Sequence, residues 1–554
     1  MMAIDKNLTT LFYLLLIVVY TFGMFLPVME NDSAQHATMA MRMYLENDFF
    51  TIMRGNKAYL DKPHMHFWLS AISFKIFGIQ AWVYRIPALL FTALGAVSCY
   101  HLAKELYNRK LAHFGALIFL TSQSIFLANH DVRTDAVLTG ATIFSIWQLF
   151  LFTKSKKLLR IVLGAIGMGI AFSTKGMFGV FIICVSLLFH LLYTRNLKVL
   201  LTYKIFIGLA FFGITIIPVL LAYHSQFEIE GVQFILWDQN FDRLNAENLV
   251  KSNPDYSFFF HTLLWVFLPW SLIFYVGLFY RLKELITSKF IANPNAEVLT
   301  FAGAMVTILI LSTSQFKLPH YLNPFIPLFS VLVVGYLDTL VQKSQFKTMK
   351  ILVYIQYFIS IVSIILIGIL LFFTFNTPKT HVLIGMVLLL SLFAYIFLTK
   401  RNNDFKIIHI SIVLMIFINF GLNSYFYPEL LQYQAGIPML ELINKKEIPK
   451  ENIYIYENLV DKKIENNSWS FDFYSKHNTP SITIDKIKTL DRSIWIFVDE
   501  QISLDELKAN NISSTDQLVA DFFRVSKLNT KFLNPKTRAE NLRKAYLLKI
   551  EPNK

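Results

Sequence analysis

The residue of this chain best suited to chemistry is Asp32, an aspartate just after the first apolar segment. Residues 25–33 read FLPVMENDS and mark the point where the chain should leave a membrane, and residues 34–43 have a helical pattern. A carboxylate at a membrane surface and a helix N-terminus suits a general base or an ion ligand. The alternative role is a helix N-cap, because aspartate is a favoured capping residue.

A second aspartate and several basic residues lie at the ends of other apolar segments. Asp135 closes the segment NHDVRTD and opens an apolar run, so it is a candidate for general-base or divalent-metal chemistry, with N-capping as the alternative. The cations suited to a phosphate or pyrophosphate headgroup are Lys62, Lys175, Arg243 and Lys317. Each of them could instead simply extend to the interface. Their joint placement on one membrane face favours a functional role.

The composition predicts that a membrane protein positions these residues. Of 554 residues, 55% are hydrophobic and 16% are charged, with a mean hydropathy of +0.49. A soluble domain has about a quarter of its residues charged. The net charge of +14 would suggest nucleic acid in a soluble protein. Here much of the basic excess lies in short loops between apolar runs, so membrane topology explains it and no nucleic-acid partner is expected.

Hydropathy predicts a polytopic α-helical protein with about thirteen spans. Their approximate ranges are 8–28, 83–104, 112–128, 135–153, 160–173, 177–194, 205–223, 257–280, 297–314, 322–341, 351–374, 381–399 and 407–426. The first is expected to be retained and not removed as a signal peptide. Placing the basic loops in the cytoplasm puts the N-terminus inside and the C-terminus outside, so that the candidate residues share the outer face.

The composition changes after Pro428, where short β-type runs alternate with helical patterns. This predicts a soluble extracytoplasmic α/β domain of about 125 residues. The predicted domains are therefore a transmembrane catalytic domain, residues 1–427, with external loops 29–82 and 224–256, and the soluble domain 428–554. Loop 29–82 is expected to contain a helix over 34–46 and an amphipathic helix over 66–77.

A series of short motifs follows one order along residues 10–340. They are Glu30 to Ala37 after the first span, Asp61-Lys62-Pro63, Asp135 at the start of a span, Thr174-Lys175-Gly176, Asn240 to Arg243, Leu268-Pro269-Trp270 and Lys317 to Tyr321. In this order and spacing the chain resembles the membrane glycosyltransferases of the GT-C class. It is most similar to the bacterial branch that includes lipid A aminoarabinose transferases, and more distantly to protein O-mannosyltransferases. Ser33 stands where an acid is usual, and Glu30 lies upstream instead.

The resemblance implies the GT-C fold and an inverting transfer of a sugar from a polyprenyl-phosphate donor, undecaprenyl-linked in a bacterium. The transfer would occur at the outer face of the cytoplasmic (inner) membrane, to lipid A, another glycan or a protein. Asp32 occupies the family's catalytic position, and Asp135 is the second candidate. A divalent metal ion is a candidate cofactor, with Asp32 and Glu30 as its ligands. The residues implied to bind the donor phosphate are Lys62, Lys175, Arg243, Lys317 and Tyr321.

A transporter or flippase of a lipid-linked sugar, without bond chemistry, is the alternative function. Such a protein is expected to show inverted repeats and charges at the bilayer midplane. The sequence shows neither, since the acids and most of the cations lie near the ends of predicted spans. The absence of a phosphate-binding glycine motif argues against nucleotide-driven work. The sugar, the acceptor and the oligomeric state are left open.

Overall fold

The chain crosses a membrane many times. The computed structural model describes residues 6–30, 32–107, 109–239, 255–291, 297–399, 405–457, 469–498 and 501–552. In this part of the chain, nine helices are long and apolar enough to span a bilayer, and two short helices bent by 53° form a further broken span. Lipid offers no hydrogen-bond partners for backbone N–H and C=O groups, whereas a helix pairs these groups within itself. Apolar runs of this length therefore fold as helices. The prediction of a polytopic membrane protein is confirmed.

The membrane part of the described chain is a series of helices. In the first half they are α1 (Lys6–Met24), α2 (Asp32–Leu45), α3 (Met65–Phe77), α4 (Ala81–Leu106), α5 (Arg109–Leu120), α6 (Gln123–His130), α7 (Asp135–Ser155), α8 (Leu158–Lys175), α9 (Met177–Tyr193) and α10 (Lys204–Gln233). In the second half they are α11 (Phe258–Val266), α12 (Ser271–Thr287), α13 (Leu299–Thr313), α14 (Ile326–Gln342), α15 (Phe346–Thr374), α16 (Thr380–Leu398) and α17 (Lys406–Gly421).

Each of the predicted spans coincides with a helix or with a broken helix, but their lengths differ. The predicted span 257–280 is divided between α11 and α12, and α9 and α13 have only 17 and 15 residues. Helices of about 20 residues are needed to cross the hydrocarbon core unaided. Among the described residues, nine helices are long and apolar enough to span the bilayer, or ten with the bent pair α5 and α6, and the number thirteen stays a prediction.

Two helices outside the predicted spans, α2 and α3, lie between α1 and α4. A hairpin of two-residue strands, β1 (Met53–Arg54) and β2 (Lys57–Ala58), connects them. One side of α3 buries Phe67 and Phe74 against α2, while Ile76 and Phe77 are exposed. An exposed apolar face on a helix beside the membrane is typical of an interfacial helix. These helices give the loop 29–82 a fixed shape.

The C-terminal part contains the predicted α/β domain. Its five strands are β3 (Ile453–Tyr456), β4 (Ser481–Ile482), β5 (Ile494–Val498), β6 (Asp516–Phe522) and β7 (Arg543–Ile550). They lie in the order β4-β3-β5-β7-β6, with β4, β3 and β5 parallel and β7 antiparallel to both its neighbours. Its main helices are α18 (Gly436–Lys445), α19 (Trp469–Ser475), α20 (Ile484–Lys488) and α21 (Gln501–Ala509). The predicted boundary at residue 427 falls within the helical stretch Lys406–Tyr433.

The buried carboxyl group of Asp472 in α19 makes the stability of this domain depend on pH. Burial, and secondarily the carboxylate of Glu30, raises the pKa of Asp472 from 3.8 to about 7. Between these two values the folded chain holds a proton that the unfolded chain has lost. The free energy of unfolding must therefore fall as the pH rises through this window, and the loss is complete above it.

We expect the variant Asp472→Asn, which has no charge to bury, to be more stable than the wild type at a pH of about 8. The gain should approach the order of 4 kcal/mol that the pKa shift represents. Near a pH of about 4 the two proteins should unfold alike. Thermal unfolding in detergent at both pH values measures this difference. The control is Asp485→Asn, an exposed aspartate of α20, and a wild type whose stability does not fall across this range would contradict the prediction.

Candidate active site

The carboxylate of Asp32 lies in a cluster of charges with two residues from the loop between α6 and α7. The Nη1 atom of Arg133 is 2.8 Å from Asp32 Oδ2, and its Nη2 atom is 2.7 Å from Asp131 Oδ2. Burial raises the pKa of Asp131, and the charge of Arg133 opposes that rise. The side chain of Asp32 is 49% exposed. One guanidinium thus orients two carboxylates and leaves the outer one open to solvent.

Arg85 on α4 fixes the two loops that carry this cluster. Its fully buried guanidinium donates to Pro27 O at 2.8 Å, in the loop that leads to Asp32. It also donates to His130 O at 3.0 and 3.2 Å, the residue before Asp131. A buried charge is tolerated where its hydrogen bonds are satisfied in this way. Arg85 therefore sets the distance between the end of α1 and the end of α6.

Asp135 and Lys175 form a buried ion pair. Lys175 Nζ is 2.9 Å from Asp135 Oδ1, and the two side chains are 2% and 4% exposed. Lys175 is the last residue of α8. The next residue is Gly176, whose positive φ of 61° is a conformation that favours glycine. The same ammonium lies 4.7 Å from the ring centroid of Tyr321. The pair joins the start of α7 to the end of α8, and the predicted catalytic role of Asp135 and phosphate-binding role of Lys175 stay predictions.

Lys62 and Asp61 form a third ion-paired group, in the loop before α3. Their neighbour Tyr59 is partly buried, and its pKa is raised first by that burial and then by the carboxylates of Asp61 and Asp32. The Tyr59 hydroxyl lies 3.5 Å from Asp61 Oδ2. The pKa of His36 on α2 is held well below its usual value, first by burial and then by cations that include Lys62. Lys62 and Asp61 therefore belong to the surroundings of Asp32.

His320 lies among the three ion-paired groups formed by Arg133, by Lys175 and by Lys62. Charges on four residues act on its imidazole, and they are Asp135, Lys175, Arg133 and Lys62. The ring of the adjacent Tyr321 lies under the Lys175 ammonium. The structure thus brings together residues that the sequence places in five separate segments.

Two of the predicted phosphate-binding cations are not assigned to this cluster. The ammonium of Lys317 lies 5.7 Å from the ring centroid of Tyr256, a residue that is 63% exposed. Arg243 lies in the segment 240–254, outside the described residues. The roles of both cations stay predictions.

The carboxylate of Glu30 faces the C-terminal domain. Its Oε1 atom accepts hydrogen bonds from the backbone N–H of Ser470 at 3.1 Å and from the Ser470 hydroxyl at 2.6 Å. Divalent cations need several oxygen ligands around one point, whereas Asp32 is paired with Arg133. Among the described residues, no group of three or more His, Cys, Asp or Glu is arranged to hold a metal ion. The described geometry therefore does not fit the predicted metal pair of Asp32 and Glu30.

Asp131 and Arg133 belong to a predicted motif, yet sequence reasoning singled out only Asp135 from it. The signal that could have found them is the density of charge in the short connection between α6 and α7. Charged groups between two apolar helices need partners or solvent. For Ser470 the sequence offers no such signal, because it lies 440 positions from Glu30.

Known proteins resemble this chain in sequence. Residues 61–222 match the family described as dolichyl-phosphate-mannose-protein mannosyltransferase. An undecaprenyl phosphate-alpha-4-amino-4-deoxy-L-arabinose arabinosyl transferase from Proteus mirabilis is 23% identical over 61% of this chain and 60% of its own length. A transferase of the same name from Wigglesworthia glossinidia brevipalpis is 24% identical over 77% of this chain and 80% of its own length. The chain thus aligns with less than two thirds of the first of these relatives.

The architecture also has a counterpart among solved structures. ArnT from Cupriavidus metallidurans bound to undecaprenyl phosphate matches with a TM-score of 0.73 at 16% identity, over 93% of this chain and 97% of that chain. The apo state of the same protein matches with a TM-score of 0.69. At this identity the likeness shows the fold, which includes the C-terminal domain because the match covers nearly the whole chain.

Proposed function

We propose that this protein, a homologue of membrane glycosyltransferases with the GT-C fold, moves a sugar from a polyprenyl-phosphate donor to an acceptor. The observation that carries the proposal is the half-exposed carboxylate of Asp32, oriented by Arg133, whose charge acts on His36 together with that of Lys62. A fixed carboxylate beside cations suits an acceptor that must lose a proton and a donor that must release a phosphate. An undecaprenyl-phosphate sugar is the first donor to test, since the curated relatives are named for one.

The proposed reaction uses Asp32 as the general base. Asp32 takes the proton of the acceptor hydroxyl as its oxygen attacks the anomeric carbon of the sugar. The bond from that carbon to the phosphate oxygen breaks on the opposite face, and its electron pair leaves with the polyprenyl phosphate, so the configuration inverts. We propose that Lys62 stabilises the leaving phosphate, since preorganised charges of this kind contribute strongly to catalysis.

Reconstitution in proteoliposomes tests the proposal. The purified protein is given undecaprenyl phosphate linked to radiolabelled 4-amino-4-deoxy-L-arabinose, with lipid A, a surface glycan or a peptide as the acceptor. We expect the label to appear on one acceptor and undecaprenyl phosphate to be released in equal amount. Movement of the donor across the bilayer with no new glycosidic bond would instead establish the transporter alternative, which the curated relatives do not favour.

The proposed orientation places the reaction at the outer face of a bacterial cytoplasmic membrane. The basic loops between spans support a cytoplasmic N-terminus and an extracytoplasmic C-terminal domain. A reporter enzyme that is active only outside the cytoplasm, fused after residue 552, tests this orientation. Reporter activity is the expected result. A fusion that is stably produced but inactive would show that the proposed orientation is wrong.

Within this function, Arg133→Gln is expected to lower the rate of transfer roughly 100-fold, because a loosely held base loses its attack geometry. Transfer rates of Arg133→Gln and of the wild type, measured with the same donor and acceptor, check this effect. Arg42→Gln is the matched control, since Arg42 pairs with Glu46 on α2 at a distance of 2.8 Å, and an unchanged rate in Arg133→Gln would refute the role of Arg133.

A further inference from the structure

The short loop that leads to Asp32 is held by residues from the C-terminal part of the chain. The backbone N–H of Val28 donates to the Tyr474 hydroxyl at 2.9 Å, and Val28 O accepts from Gln434 Nε2 at 3.0 Å. The backbone N–H of Glu30 donates to Gln434 Oε1 at 2.7 Å. The side-chain amide of Gln434 therefore bonds the loop on both sides of Met29. These paired hydrogen bonds hold the loop backbone in one position, which hydrogen bonds to mobile water molecules would not do.

The carboxylate of Glu30 adds a side-chain connection to the same domain. It accepts two hydrogen bonds from Ser470 at the start of α19, and the residue is only 7% exposed. A buried carboxylate that loses such donors carries a large desolvation penalty. Glu30 therefore cannot leave this position without cost while the domain is docked.

Apolar packing supports these polar contacts. Trp469 and Phe473 of α19 are 3% and 2% exposed, and they share one buried cluster with Val28 and with residues of α2 and α3. The hydroxyl of Thr38 on α2 also donates to Trp469 O at 3.1 Å. The helix α19 is thus packed directly against the helix that Asp32 begins.

The opposite side of the loop is held by the membrane domain through Arg85, which bonds Pro27 O. Only Asn31 separates Glu30 from Asp32 in the sequence. Two residues of chain span at most about 7 Å. Because the connection is this short, a displacement of the Glu30 backbone is expected to displace Asp32 as well. The loop is therefore held on one side by Arg85 of the membrane domain and on the other side by the C-terminal domain. Both contacts restrict the position of the Asp32 carboxylate.

We propose that the C-terminal domain is a positioning element of the active site, in which Gln434, Ser470 and Tyr474 hold residues 28–30 and thereby align Asp32 with Arg133. This inference rests on the proposed transferase function, and it adds the C-terminal domain to the parts of the chain on which that function depends. The three residues act through the loop and do not touch the reacting groups. Their loss should therefore lower kcat and leave the KM for the donor nearly unchanged.

Two variants with matched controls test the inference in the full-length protein. Gln434→Leu removes both amide contacts, and its control is the exposed neighbour Gln432→Leu. Ser470→Ala removes a hydroxyl bond to Glu30, and its control is Ser475→Ala, whose hydroxyl donates to Asp472 O within α19. With undecaprenyl phosphate 4-amino-4-deoxy-L-arabinose and lipid A, we expect kcat to fall about 100-fold in Gln434→Leu and about tenfold in Ser470→Ala. Both controls should keep the wild-type kcat, and all four KM values for the donor should stay within about twofold.

Hydrogen exchange gives a readout that does not depend on activity. Peptides covering residues 26–36 should exchange faster in Gln434→Leu than in Gln432→Leu, while peptides of the sheet exchange alike. Wild-type kcat in Gln434→Leu, or equal exchange in the two glutamine variants, would overturn the positioning role. A wild type that transfers no sugar would refute the proposed function, and the exchange comparison would still decide whether the domain holds the loop.

Discussion

Replacing Asp32 with asparagine is expected to abolish sugar transfer while the protein stays folded and inserted. A positioned general base contributes a factor of about 100 to 10,000 to a rate, so the residual activity should lie near background. Asparagine is nearly isosteric and serves equally well as an N-cap, so α2 should still begin at residue 32. Arg133 keeps its second partner, Asp131. Transfer rates and thermal unfolding of the same preparation measure the two effects separately.

This substitution also separates the two roles considered for Asp32. If the residue only caps α2, Asp32→Asn should retain full activity, and Asp32→Ala should lose about 1 kcal/mol of stability. The matched control is Asp48→Asn, since Asp48 lies in the same segment 29–82 and accepts hydrogen bonds from the N–H groups of Phe50 and Thr51. Its transfer rate should equal that of the wild type. A fully active Asp32→Asn protein would remove Asp32 from the chemistry.

Removing the charge of Lys175 is expected to destabilise the protein more than any other single change considered. In Lys175→Met the carboxylate of Asp135 remains buried without its 2.9 Å partner. Breaking a buried pair from one side typically lowers the free energy of unfolding by about 3–5 kcal/mol. The double variant Asp135→Asn/Lys175→Met, which buries no charge, should recover much of that loss. Thermal unfolding of the two variants in detergent checks this order.

The same variants decide between a structural and a phosphate-binding role for Lys175. If Lys175 holds the donor phosphate, Lys175→Met should raise the KM for the donor, and the double variant should not restore it. If its main task is to neutralise Asp135, the double variant should regain both stability and donor affinity. The control is Lys154→Met, whose ammonium pairs with Glu105 at 3.5 Å in a half-exposed position. Its unfolding temperature should change little, because exposed ion pairs contribute about 0–1 kcal/mol.

Several features of the fold were predictable because their causes are local. The membrane spans follow from the length of apolar runs, and α2 and α3 follow from helical patterns over 34–46 and 66–77. The strands β3 and β5 lie within the β-type runs predicted over 452–456 and 493–498, and β7 begins two residues before the run predicted over 545–550. Hydropathy alone did not predict the division of the span at 257–280, although the sequence carries a signal for it in Pro269, which lies between α11 and α12. Proline lacks the backbone N–H that a continuous helix needs and disfavours the helical conformation of the residue before it.

The sequence by itself determined which residues are available for chemistry at this membrane surface. Ordered motifs and the positive-inside pattern depend only on neighbours in the chain, so they identified Asp32, Lys62 and Asp135 as candidates. Which charges meet was decided by the tertiary structure alone. Asp32 pairs with Arg133, Asp135 with Lys175, and Glu30 with Ser470 of a separate domain. A charge removed from water must find a partner, but the packing of helices distant in sequence determines which partner lies within reach.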